Sequence, residues 1–106
     1  MAKAESHDEE ARLYREAIAH LRTEVVSDVD LIFRLYVTLR NQQAVANELR
    51  ERGVRQSPTR QHDKTSVGEV LKSDAATVGS LGLWFVANQI KAGNLERMWP
   101  VISRQQ

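Results

Sequence analysis

Apolar residues in this chain return every three or four positions and nowhere alternate singly with polar ones over a sustained run, so the sequence offers stripes for packed helices and no half-buried strand. From Glu9 to Val26, Leu13, Ala17, Ile18, Leu21 and Val25 form one such stripe, with Arg12, Arg15, Glu16 and Arg22 outside it and Asp8 placed to cap its start. Residues 1–8 are small and polar, and we expect them to be disordered, leaving 9–106 as a single helical domain. With 106 residues, only two prolines and five glycines, one core in an all-α, compact bundle of five to six helices is the expected architecture.

Further boundaries follow from caps. Ser27 and Asp30 imitate a capping box before Leu31-Ile32-Phe33, predicting a second helix over 28–39 whose apolar residues cover nearly every face; a buried strand competes for this short run. Asn41 is an N-cap for a third helix that buries Ala44, Val45 and Leu49 and stops at Gly53. A polar loop, 54–64, follows. Ser66 and Glu69 have capping-box spacing for a two-turn fourth helix, weakened at Gly68 by about 1 kcal/mol relative to alanine. A fifth helix runs from Asp74 to Gly93 unless Gly79 and Gly82 break it near Ser80, and a short last helix starts at Asn94, includes Trp99 and ends at Pro100.

The net charge of +1 is uninformative until it is divided along the chain. Residues 1–30 carry four bases and eight acids, whereas 31–106 carry eleven bases and six acids, so contact with a polyanion is expected from the later part. The bases Arg50, Arg52, Arg55, Arg60 and Lys64, with His62 among them, crowd around the 54–64 loop, and Thr65 and Ser66 follow at the start of a helix whose free amides favour phosphate. A solvated loop that only keeps the protein soluble is the plain alternative.

The order Ala46, Leu49, Gly53, Val54, then Ser66, Val67, Val70 and Leu71 resembles the helix-turn-helix modules of serine recombinases and of bacterial and phage transcriptional regulators. The resemblance covers 41–72 and implies that the helix from Thr65 to Lys72 is a recognition helix. The connection is longer than in the compact motif, and Asp63-Lys64 stands where recombinases often carry an aromatic residue. The expected nucleic-acid-binding residues are Arg52, Arg55, Arg60, His62, Lys64, Thr65, Ser66, Glu69 and Lys72, on double-stranded DNA and without chemistry.

A homodimer is expected, since two half-sites multiply the specificity of one short helix; Phe33, Tyr36, Leu83, Trp84, Val86 and Trp99 are its candidate contacts. The rival expectation is a helical adaptor or inhibitor that binds another protein through the apolar C-terminal surface. No constellation for catalysis and no cofactor is expected. Glu16, His20 and Glu24 share one strip of the first helix, but a solvated surface is the better reading than a metal site, as stable sites draw ligands from several elements. The absence of cysteine, of a secretory-type apolar stretch at the start and of a run of about 18 apolar residues leads us to expect a cytoplasmic protein with no membrane contact.

Overall fold

In the computed structural model, residues 2–93 are described, with side chains from Glu9 onward. Helices α1 (Ala2–Leu21), α2 (Asp28–Leu39) and α3 (Gln42–Glu51) are followed by strands β1 (Arg55–Ser57) and β2 (Arg60–Gln61), then by α4 (Lys64–Val70), α5 (Ala75–Val78) and α6 (Leu81–Lys91). The expected helical bundle is therefore present, with a small two-stranded hairpin inside the segment read as a loop. The short last helix expected from Asn94, and Trp99 with it, lie outside the described residues.

The second helix is the centre of the core, and its strand alternative is excluded. It packs against α3, α4, α5 and α6, with Ile32, Phe33 and Val37 almost wholly buried among Val45, Leu49, Val67, Leu71, Leu83 and Val86. Its caps hold it at both ends. The Ser27 hydroxyl accepts from the Asp30 amide at 3.1 Å, but the reciprocal bond of a capping box is missing, because the Asp30 carboxylate turns to the Val26 amide, also at 3.1 Å. At the other end Arg40 stands at φ 59°, a left-handed conformation unusual for a side-chain-bearing residue, and its amide donates to the Tyr36 carbonyl at 2.7 Å.

The first helix begins earlier than Asp8 and ends earlier than Val26, so Asp8 does not cap it. Residues after Leu21 leave the helix, and Val25 and Val26 emerge 47% and 76% exposed. Of the strip Glu16, His20 and Glu24, the two glutamates are exposed, as a solvated surface requires, with Glu24 beyond the end of the helix; Glu16 also accepts from the Ser80 hydroxyl and the Gly82 amide, and His20 alone is half-buried, against Asp30.

The segment 74–93 is broken, as the second of its two sequence readings allows. Gly79 at φ 87° closes α5, and the Ser80 hydroxyl caps α6 by accepting from the Leu83 amide at 3.1 Å. The glycine at 82 permits the contact of α6 with α1. A Cβ there would lie 2.5 Å from the Leu13 carbonyl oxygen and 2.7 Å from the Ala17 nitrogen, so only glycine fits without moving backbone. Tyr14 and Phe85 extend this seam, with ring centroids 5.8 Å apart.

A buried polar cluster locks the 22–26 connection. Asp30, fully buried, accepts from Arg34 Nε at 2.9 Å and contacts His20 Nε2 at 2.7 Å; Arg34 also donates to the Thr23 carbonyl, to the Thr23 hydroxyl at 3.0 Å and to the Glu24 carbonyl at 3.1 Å. Burial alone would raise the Asp30 carboxyl, but hydrogen bonds from Arg34, His20 and the Val26 amide, with the guanidinium charge, outweigh it and hold the group below the ordinary carboxylate range.

Candidate nucleic-acid interface

The helix pair proposed from sequence is built as helix, hairpin, helix. α3 starts on Asn41, whose side chain accepts from the Ala44 amide at 2.9 Å, and ends in a Schellman arrangement: Gly53 at φ 72° donates to the Arg50 carbonyl at 3.1 Å and Val54 to the Leu49 carbonyl at 2.9 Å. Val54 then packs on the core and aims the chain into β1. The strands pair antiparallel, Arg55 opposite Gln61 and Ser57 opposite Arg60, with an irregularity between Arg55 and Ser57 and a tip at Pro58-Thr59. A polar, basic sequence can still form strands here because backbone pairing, not burial, holds them, and all but Ser57 of their residues are exposed.

The start of α4 differs from the expected Ser66–Glu69 box. Asp63 is the N-cap and Ser66 its third helical residue: the Asp63 carboxylate accepts from the Ser66 amide at 2.8 Å, and the Ser66 hydroxyl accepts from the Asp63 amide at 2.9 Å. The same hydroxyl lies 3.0 Å from the Asp63 carbonyl oxygen and 2.9 Å from His62 Nδ1. All three contacts are satisfied together when His62 carries its proton on Nδ1, with the hydroxyl accepting twice and donating once. Arg50 Nε donates to the His62 carbonyl at 2.8 Å, clasping the end of α3 to the end of the hairpin.

Two expected contact residues are therefore reassigned. His62 and Ser66 are only 4% and 7% exposed, their polar atoms spent on the cap, so they position the surface and do not touch a ligand. The amides at the start of α4 are likewise not open to phosphate, since the Asp63 carboxylate occupies them. Hydrogen bonds from the Ser66 and Thr65 amides, with the charges of Arg60 and Arg50, outweigh desolvation and keep that carboxyl below its usual range.

The other seven stand on the surface: Arg52, Arg55, Arg60, Lys64, Thr65, Glu69 and Lys72 are all exposed. Lys64, Thr65 and Glu69 are exposed on α4, with Lys72 in the turn just past its end, and a cleft of about 300 Å³ between hairpin and helix brings Gln56 and Arg60 beside Thr65 and Glu69. Some of the cations have protein partners, Arg52 on Glu48 at 2.8 Å and Lys72 on Glu69 at 3.1 Å, both solvent-accessible pairs of small energetic weight. Arg55 reaches only the Pro58 carbonyl, at 3.4 Å. Sequence reasoning missed Gln56, whose place beside Arg60 depends on strand pairing between residues of ordinary loop composition.

The candidate dimer contacts fare differently. Phe33, Leu83 and Val86 are fully buried and Tyr36 is 6% exposed, so these four serve the core of one chain and offer nothing to a second copy. Trp84 is half-buried, its indole N–H donating to the Ser73 carbonyl at 3.0 Å, which ties α6 to the loop after α4. No group of three or more His, Asp or Glu side chains placed to hold a metal ion occurs among the described residues. None of the helices they form is long and apolar enough to cross a membrane. No protein-family model matches the chain, and neither a curated protein nor a solved structure does.

Proposed function

We propose that this chain is a small non-enzymatic DNA-binding regulator of the bacterial or phage type, acting in the cytoplasm as a dimer on double-stranded DNA. The observation that carries the reading is the shared cleft. Arg60 of the hairpin and Thr65 and Glu69 of α4 line one concavity, while buried His62 and Ser66 fix the two elements beneath it. Such a surface reads DNA by laying the exposed side of α4 in the major groove as the hairpin follows the phosphates. Arg55, Arg60 and Lys64 supply charge to the backbone; Thr65 and Glu69 face base edges, Glu69 as an acceptor suited to the amino group of cytosine.

The rival reading, an adaptor that binds protein through its apolar C-terminal surface, has lost two of its central contacts because Leu83 and Val86 are core. An electrophoretic shift assay at two ionic strengths tests the proposal: a shift that weakens steeply with salt supports it, and no retardation of duplex DNA at low salt overturns it.

A further inference from the structure

A groove of about 760 Å³ runs along the outer side of α2, its apolar lining supplied by Leu21, Val25, Leu31, Leu35 and Leu39 and its polar lining by Arg34, Thr38, Arg40, Glu48 and Arg52. Leu31, Leu35 and Leu39 stand at four-residue spacing on one side of that helix and line the groove, with Arg40 and Arg52 also among its lining residues. Of the four exposed large apolar side chains among the described residues, Val25 and Leu39 line this groove and Val26 adjoins Val25. Val25 in the groove wall and Val26 next to it thus form an exposed apolar ridge at the groove's edge.

We infer that this ridge seats in the groove of a second copy of the chain, and reciprocally, giving a symmetric dimer about a two-fold axis near Leu35. Three observations choose a second copy as the occupant. Ridge and trough are adjacent on one surface, the arrangement that a two-fold axis makes self-complementary. Charge agrees with the pairing at one position: Glu24 and Asp28 flank the ridge and are exposed, and Arg40 is exposed at the trough, where Arg52 is already paired with Glu48. The ridge is also held in shape before docking, because Arg34 donates to the Thr23 and Glu24 carbonyls and Asp30 accepts the Val26 amide. A buried ionic cluster supporting a tip whose outermost side chain is 76% exposed points to a contact surface.

In this dimer the two α2 helices run antiparallel, so the ridge that precedes one helix meets the end of the other, and Glu24 faces Arg40 of the second copy. The inference supplies the surface for the dimer that the DNA-binding reading requires and rests on that reading for its purpose, not for its test. Sedimentation of the whole chain without DNA, across a wide range of concentrations, decides it independently of any DNA shift. Wild type is expected to associate, and Val26→Glu, at a site already exposed in the single chain, to weaken association at least about tenfold while leaving the helical circular dichroism unchanged. Glu24→Arg weakens it too, and adding Arg40→Glu restores it. A wild-type protein that stays monomeric throughout, or a dimer indifferent to Val26→Glu, overturns the inference.

Discussion

The Gly82 amide donates to the Glu16 carboxylate at 3.0 Å, across 66 residues of chain, at the point where α6 lies closest to α1. Carboxylate and helix start suit each other electrostatically, and the missing Cβ is what lets them meet.

Gly82→Ala is therefore expected to destabilise the fold by about 1–3 kcal/mol or more, as an overpacked contact against backbone, with a matching fall in the urea midpoint. Gly68→Ala is the control. A Cβ at 68 meets only the end of the Gln42 side chain, at 3.1 Å, which can swing aside, and the helix-propensity gain of about 1 kcal/mol offsets that adjustment. A Gly82→Ala protein as stable as Gly68→Ala contradicts the close approach.

Acid should unfold this protein through its aspartates. Asp30, Asp63 and Asp74 are all held below the ordinary carboxylate value, Asp74 through hydrogen bonds from the Thr77 hydroxyl and amide. A lowered folded value means that the unfolded chain takes up protons first. Stability is then fully present above the ordinary range near about pH 4 and declines as pH falls below it. Thermal melts from neutral pH to about pH 3 check the direction. Asp30→Ala, which leaves the Arg34 guanidinium buried without its counter-charge, is expected to cost about 3–5 kcal/mol at neutral pH.

Neighbours in sequence, Thr65 and Ser66 differ in burial, Thr65 being exposed and Ser66 7% exposed, and on the DNA-binding reading they are expected to divide contact from framework. Ser66→Ala removes half of the capping box and a partner of His62, and lowers stability by about 1–2 kcal/mol. Thr65→Ala changes stability by less than about 0.5 kcal/mol and weakens DNA binding instead. Denaturation curves beside shift assays under folded conditions separate the two. Equal stability losses would place Thr65 in the framework.

Replacing Arg55 and Arg60 together by alanine is expected to flatten the log–log salt dependence of DNA affinity by about 2 if each neutralises one phosphate. The slope is the readout, because a loss of affinity alone does not distinguish phosphate contacts from general weakening.

Arg40 offers a substitution that moves two properties in opposite directions. A side-chain-bearing residue at φ 59° costs about 1–2 kcal/mol, so Arg40→Gly relieves strain and leaves a net gain of up to about 1 kcal/mol after the added freedom of the unfolded chain. The same change removes a cation from the α2 groove and weakens self-association. Thermal melts and sedimentation on one sample read both.

What could be read in the sequence was whatever depends on neighbours along the chain. Asn41, Gly53 and Gly93 mark real helix ends because capping is a short-range affair of one side chain or one backbone conformation, whereas the apolar cover on nearly every face of 28–39 left its place, and its competition with a strand, undecided. Long-range partners were out of reach: His20 looks like a solvent residue until Asp30 arrives from α2, and nothing in the sequence pairs the exposed Glu16 with the Gly82 amide. The Asp63–Ser66 box was misplaced because Ser66 with Glu69 has equally good spacing, and only the hairpin decides where the helix begins. In the candidate site, exposed cations were legible from composition, whereas the burial of His62 and Ser66 follows from the clasp of Arg50 and the cap. Phe33, Leu83 and Val86 were read as surface for a related reason, since an apolar excess does not say whether a chain spends it inside itself or on a neighbour.

The hairpin between α3 and α4 separates reach from register. Its strands pair with one another and its base is fastened by the Arg50–His62 hydrogen bond, so the pose of α4 against α3 is held at the base of the hairpin and not at its Pro58-Thr59 tip. On the DNA-binding reading proposed above, lengthening that tip is expected to carry the hairpin farther along the phosphates while α4 keeps its pose.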